Sequence, residues 1–257
     1  MRVFILGGGG FVGSAFGRLF DHLKIPHEVI TRANYDSLRG QHCDVLINAN
    51  GNSKKFLADR DPKGEFDASV RSVVHSLEDF KAETYVFLSS GDVYPRQDSP
   101  EITREDEALD QAAMSRYGLH KYTAETLVRA IHPRWLVFRM GGFVGPGLKK
   151  NAIFDMLNNQ PIWLQPDSKL QFISTDTAAR IVWQVVLNGT TGETVNLGAK
   201  GVVRVGDLFD RLAPRSTFMP DAKLVRFEIS TEKLERLYGP LPLTVDEVDA
   251  FLATSAA

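Results

Sequence analysis

The opening stretch "MRVFILGGGGFVGS" constrains this chain more than any other. An apolar run, Arg2 to Leu6, breaks into glycines, and Phe11 to Leu23 then shows helical periodicity. A short continuous apolar run suits a parallel strand buried on both faces. The glycines fall as Gly7-x-x-Gly10-x-x-Gly13. In a strand–loop–helix unit the first glycine permits the tight turn. The second lets the backbone approach a pyrophosphate, and the third lets helix and strand pack closely. The helix N-terminus then offers N–H groups and a positive dipole end to phosphates. The reading is a dinucleotide-binding loop of Gly7, Gly10, Phe11, Val12 and Gly13, against the plainer alternative of a glycine turn.

The same alternation continues along the chain. Glu28–Thr31, Asp44–Asn48, Tyr85–Ser89 and Trp135–Met140 read as strands, and Asp67–Phe80 and Ser115–Ile131 as helices. Strands alternating with helices predict an α/β fold with a doubly wound, parallel, Rossmann-type sheet. After Gly147 the pattern becomes mixed, ending in an acidic helix over Thr244–Leu252. The expected division is a nucleotide-binding domain over 1–147. A small substrate-binding lobe would follow over 148–257, with segments returning to the sheet.

Composition narrows the class. The chain has 257 residues, 43% of them hydrophobic, and a formal charge of −2. Such a length allows one large α/β domain with a small lobe. The near-neutral charge, with only two adjacent lysine pairs (Lys54-Lys55 and Lys149-Lys150), gives no stripe for nucleic acid. No apolar run approaches membrane-spanning length, and no secretory layout is visible. The single cysteine, Cys43, suits a reducing compartment, and the scattered histidines lack metal-site spacing. The expectation is a cytoplasmic protein with no metal, no membrane partner and no nucleic-acid partner.

The end of the second strand carries cofactor information. A carboxylate there would hold the ribose hydroxyls of NAD. The sequence instead reads "VITRAN", placing Thr31 and Arg32 at that point, with no acid until Asp36. A guanidinium favours a 2′-phosphate, so NADP is expected, with NAD as the alternative.

In "SRYGLHKYTAE", Tyr117 and Lys121 stand four apart on one helix face. In "FLSSGDVYP", Ser90 stands at the C-terminal end of a strand, where open α/β sheets bind ligands. A free tyrosine titrates near pH ~10 and is a poor acid or base at neutrality. A nearby ammonium, helped by a cationic nicotinamide, is expected to lower it. Tyr117 could then exchange a proton with a carbonyl or hydroxyl while Ser90 holds the oxygen. Asp92 has two readings: a base in epimerisation or water elimination, or a residue bonding its own turn.

With these motifs in order, the chain resembles the extended short-chain dehydrogenase/reductase family, the nucleotide-sugar epimerase, dehydratase and reductase group. "GGGGFVGS" resembles its cofactor loop, "SSGDVYP" its Ser-x-x-Val-Tyr-Gly segment and "YGLHKYTAE" its YGxSKxxAE. "RMGGFVGPG", "QFISTDTAA" and "GETVNLG" resemble later motifs. The resemblance implies catalysis by Ser90, Tyr117 and Lys121. "DVLINANG" would bring Asn48, Ala49 and Asn50 to the nicotinamide half. Gly142 and Val144 would lie near the cofactor, Lys121 on the nicotinamide ribose, and Gly141, Asp92 and Lys169 near substrate. Ser115 is a weaker substrate candidate. The short stretch from Arg32 to Asp44 implies that the family's usual third strand is reduced or missing, as in its sugar reductases.

The leading expectation is an NADP(H)-preferring reductase of a nucleotide-linked keto-sugar. The alternatives are an epimerase or dehydratase with Asp92 as base, and a non-catalytic NADP-binding sensor. A homodimer is expected, because Val70, Val73, Val74 and Leu77 look more apolar than one core face needs.

Overall fold

A computed structural model describes residues 1–51 and 55–255. In chain order the first elements are β1 (Val3–Leu6), α1 (Gly13–Leu23), β2 (His27–Ile30), α2 (Tyr35–Leu38), β3 (His42–Asn48), α3 (Leu57–Arg60), α4 (Pro62–Phe66), α5 (Ser72–Asp79), β4 (Lys81–Ser90), α6 (Arg116–Ile131) and β5 (Trp135–Met140). A five-residue π-helical turn, Asp67–Arg71, joins α4 to α5. There follow β6 (Gly142–Val144), α7 (Ala152–Leu157), β7 (Ile162–Leu164), β8 (Lys169–Leu170), β9 (Phe172–Ser174), α8 (Thr175–Leu187) and β10 (Glu193–Leu197). The last are β11 (Val203–Arg204), α9 (Val205–Leu212), β12 (Phe218–Lys223), β13 (Arg226–Phe227), α10 (Glu232–Tyr238) and α11 (Thr244–Ser255).

The chain forms two compact units. The first comprises Met1–Pro95, Ala108–Met140 and Asp176–Leu197. Its six-stranded sheet has the order β10-β5-β4-β3-β1-β2, and every pairing is parallel. The strand reversal between β1 and β3 is the topology of a doubly wound, Rossmann-like sheet. Only the four-residue α2 lies between β2 and β3, so β2 is the sheet's edge and no strand stands outside it. Phe4, Leu6, Leu46, Tyr85, Phe87 and Val137 pack with Val73, Leu77, Ala124 and Val128 in one buried cluster beneath α5 and α6. On another side α1 and α8 meet through Phe20 and Trp183, ring centroids 4.8 Å apart.

Two sequence expectations change here. Val70, Val73 and Leu77 are buried inside this unit and only Val74 is half-buried, so the apolar excess assigned to a partner face fills the chain's own core. The helix expected over Asp67–Phe80 is interrupted at its start by the π turn. There Ser72 Oγ donates to Ala68 O at 2.6 Å and Ser69 Oγ turns to Glu65.

The second unit comprises Arg96–Glu107, Gly141–Thr175 and Gly198–Ala257. Its division from the first falls after Met140, not at Gly147, because β6 pairs in parallel with β9 of the same unit. Its core gathers Val144, Ile153, Met156, Ile162, Phe172, Val205, Leu208 and Val248. Among the described residues, no helix is long and apolar enough to cross a membrane.

Candidate active site

β1 is followed by Gly7, whose φ of +80° suits glycine. A Cβ on Gly7 would lie 2.8 Å from Asn50 N, and one on Gly13 would lie 2.3 Å from Gly7 O. The loop between β1 and α1 is therefore a bare backbone cradle, seated against the Ala49–Asn50 loop after β3. No side chain caps the N-terminus of α1, whereas Ser115 caps α6 and Asn151 caps α7. An uncapped helix end behind a glycine cradle fits a dinucleotide pyrophosphate. Phe11 and Val12 are half-buried at the helix entry.

Asn48 does something other than expected. It is fully buried, its Nδ2 donates to Tyr85 Oη at 2.7 Å and Ser76 Oγ at 3.1 Å, and its Oδ1 accepts from Asn50 N at 2.9 Å. Its side chain shapes the Ala49–Asn50 loop from behind. At the end of β2, Thr31 is held by Asn34, whose Oδ1 accepts from the Thr31 N–H at 2.6 Å and hydroxyl at 3.0 Å. Arg32 is exposed and forms no ion pair among the described residues. The nearby Arg39 is engaged by Asp79 at 3.2 Å.

β4 delivers Ser90 at its C-terminal end, and a single 3₁₀ turn, Gly91–Val93, follows. Ser90 Oγ donates to Asp92 Oδ2 at 2.8 Å and accepts from Asp92 N at 3.2 Å. Lys55 closes on the same carboxylate, with Nζ 2.7 Å away. Asp92 is thus tied to the turn and to a cation. Ser115, weighed as a substrate contact, accepts from Gly118 N at 3.1 Å and caps α6.

α6 carries Tyr117 and Lys121 into the same corner, and both are buried. Ser90 stands near enough to the Tyr117 phenol to act on it, in the direction that lowers its pKa. Lys121 Nζ donates to Leu88 O at 3.1 Å and sits 4.6 Å from the centroid of the Phe87 ring. The structure departs from the expected tuning. Burial, then the charges of Asp92 and Glu65, push the phenol above its ordinary range, and only Ser90 pulls it down. The ammonium is committed to Leu88 O and the Phe87 face, not to the phenol. Burial lowers Lys121 itself to about 8, opposed by Glu125, Glu65 and Asp92. The protein alone therefore stores a proton on Tyr117.

A buried polar bridge underlies this corner. Glu125 accepts from Ser89 Oγ at 2.6 Å and from Arg139 Nη2 at 2.9 Å, and Arg139 Nη1 donates to Tyr94 Oη at 2.9 Å. Tyr94 Oη in turn donates to Asn196 Oδ1 at 2.9 Å, joining β4, α6, β5 and β10. Burial works against the Arg139 charge, but Glu125 holds it above its ordinary range. Sequence reasoning saw none of Glu65, Lys55, Glu125 or Arg139 as part of the site.

The remaining expected residues belong to the second unit. Gly141 and Gly142 are half-buried, Val144 is a core residue, and Lys169 is exposed on β8. Ser90, Tyr117 and Lys121 are brought together.

The geometry can be set beside known proteins. No curated protein matches the chain. Its fold is similar to a crystal structure of UDP-galactose 4-epimerase, with 22% identity, 99% of each chain covered and a TM-score of 0.78. It is similar to UDP-glucuronic acid 4-epimerase from Bacillus cereus in complex with UDP-glucuronic acid and NAD, with 17% identity, 98% of each chain covered and a TM-score of 0.79. RMD from Pseudomonas aeruginosa complexed with NADPH gives 18% identity, 98% and 99% coverage and a TM-score of 0.79. The model of the NAD dependent epimerase/dehydratase family matches residues 3–198, from the first strand past the last strand of the sheet. With its glycine cradle and its Ser90–Tyr117–Lys121 corner, the chain belongs to the NAD dependent epimerase/dehydratase family, enzymes of the extended short-chain dehydrogenase/reductase type.

Proposed function

We propose that this enzyme is an NADP(H)-preferring reductase of a nucleotide-linked keto-sugar. What carries the reading is Tyr117, buried beside Ser90 in surroundings that favour the protonated phenol, while Asp92 is tied up by Lys55 and Ser90. A reductase needs an acid at rest. An epimerase or dehydratase of the Asp92 type needs a carboxylate free to take a proton.

Gly7, Gly10, Phe11, Val12, Gly13, Ala49 and Asn50 would hold the cofactor's phosphates and nicotinamide half, with Thr31 and Arg32 at its adenosine end. When bound, NADPH supplies a hydride to the substrate ketone. Ser90 orients the ketone oxygen by its hydroxyl, and Tyr117 gives that oxygen its proton. Lys121 holds the ribose side. The Arg32 guanidinium, which forms no ion pair among the described residues, supports a 2′-phosphate. Structures of similar fold are described with either cofactor, NADPH in RMD and NAD in UDP-glucuronic acid 4-epimerase.

A second reading, an epimerase or dehydratase, is favoured by the family's description. One experiment separates the two. The purified protein is supplied with NADPH and a panel of nucleotide-linked 4-keto-sugars. Loss of reduced nicotinamide absorbance one for one with product supports the reductase. Copurification with oxidised cofactor, conversion without net absorbance change and loss of activity in Asp92→Asn would establish the other.

A further inference from the structure

Glu65 has no part in the chemistry above, yet it is buried at the site. Its carboxylate is fully shielded from solvent. His120 Nδ1 meets Oε2, and the Ser69 hydroxyl meets Oε1. Ser69 is itself fully buried, and the Phe66 ring stands edge-on to His120 with centroids 5.3 Å apart. Burying a carboxylate costs several kcal/mol unless partners satisfy it, and an apolar residue would fill the place more cheaply. A charge kept there at such a cost is a candidate for work on its neighbours.

Those neighbours lie on α6. His120 falls between Tyr117 and Lys121, and α4 with its π turn packs along the same helix. We propose that Glu65, clamped by His120 and Ser69, is a positioning residue whose charge stands behind Tyr117 and Lys121 and keeps both loaded with their protons. The proposal rests on reading Tyr117 as the proton donor.

The sign follows from Coulomb's law. A negative charge opposes loss of a proton from the phenol and from the ammonium alike, and Glu65 acts in that direction on each. Asp92 and Glu125 act in the same direction and are each paired with a cation. Asp92 has Lys55, Glu125 has Arg139 and Arg129, and Arg116 at the start of α6 faces Asp59 at 3.9 Å. Glu65 pairs with no Lys or Arg among the described residues; its partner is His120, an imidazole that opposes its field only when protonated.

The test reads Lys121 directly. The apoprotein is labelled with carbon-13 lysine, and the Cε resonance of Lys121, assigned through Lys121→Met, is titrated with pH. The parent midpoint is expected at about 8. Glu65→Gln should lower it by about one pH unit. His120→Leu removes the clamp and should lower it as well, and His120→Asn, which restores a polar partner, should bring it back toward the parent. The alkaline limb of NADPH-dependent turnover should move with the midpoint. A Lys121 midpoint unmoved or raised in Glu65→Gln overturns the proposal. If Glu65→Gln does not fold, the Leu and Asn variants at His120 decide, and equal midpoints in the two overturn it. A midpoint that shifts as expected in a protein turning over no keto-sugar would reject the reductase and leave the charge effect standing.

Discussion

A Cβ on Gly118 would lie 2.1 Å from the carbonyl oxygen of Asp92. That approach lays the first turn of α6 directly on the turn that follows Ser90, which is how Tyr117 comes beside the serine. Alanine at 118 has to push two backbones apart. Gly118→Ala should cost about 1–3 kcal/mol of stability and lower turnover by separating Tyr117 from Ser90. Urea unfolding and steady-state rates check this, and an unchanged midpoint with full activity would show that the two backbones are free to move apart.

Glu125 and Arg139 form a fully buried pair, and removing one partner leaves the other charge uncompensated. Glu125→Ala should cost about 3–5 kcal/mol. Arg129→Ala, on the solvent side of the same carboxylate, should cost under about 1 kcal/mol because that arginine is partly exposed. Chemical denaturation of the two variants should rank them in that order.

Lys121 makes stability depend on pH. Its folded value, about 8, lies below the ordinary lysine value, so between the two the unfolded chain binds more protons than the folded one. Stability contributed by this residue therefore rises with pH from about 8 to the ordinary lysine range and is flat below. The amplitude is on the order of 3 kcal/mol. Subtracting the pH dependence of Lys121→Met from that of the parent isolates the component, and a flat difference would contradict it.

Arg32 is the cofactor-selecting residue of the proposed function. Arg32→Ala should reduce the kcat/KM preference for NADPH over NADH about tenfold, the worth of one charge-assisted hydrogen bond. Comparable kcat/KM for the two cofactors in the parent would remove the preference from the account.

Tyr117→Phe should leave NADPH affinity nearly unchanged and lower turnover by about 100-fold or more, as removal of a general acid does. Fluorescence titration of the cofactor and single-turnover rates separate the two effects.

Much of the first unit was legible in sequence because its strands are continuous apolar runs and its loop glycines have one use. Trp135–Met140 was read at its observed bounds. β4 begins at Lys81, not Tyr85, because "KAET" carries no apolar run and joins the sheet by register with His42 and Cys43. The second unit was opaque, since strands of two or three residues are too short to show a period. Ser90, Tyr117 and Lys121 were visible because a motif spaces them. Glu65 was not, because the acids in "PKGEFDASV" read as surface and only tertiary packing buries this one. His120 stood inside the motif and passed as a spacer. Lys55 meets Asp92 only through loop geometry that no local pattern encodes.

The π turn at Asp67–Arg71 makes the length of this stretch matter as much as its letters. Each residue of an α-helix turns the chain by about 100°. A π turn holds one residue more than the α-helical turn it replaces, so deleting one residue between Asp67 and Arg71 lets the segment relax into plain α-helix with Glu65 keeping its face relative to Val73, Ser76 and Leu77. The same deletion inside α4 or α5, where no extra residue is stored, would swing the two faces apart by that angle. The turn should therefore absorb a one-codon deletion that the helices on either side of it would not, so tolerance along this stretch is set by register.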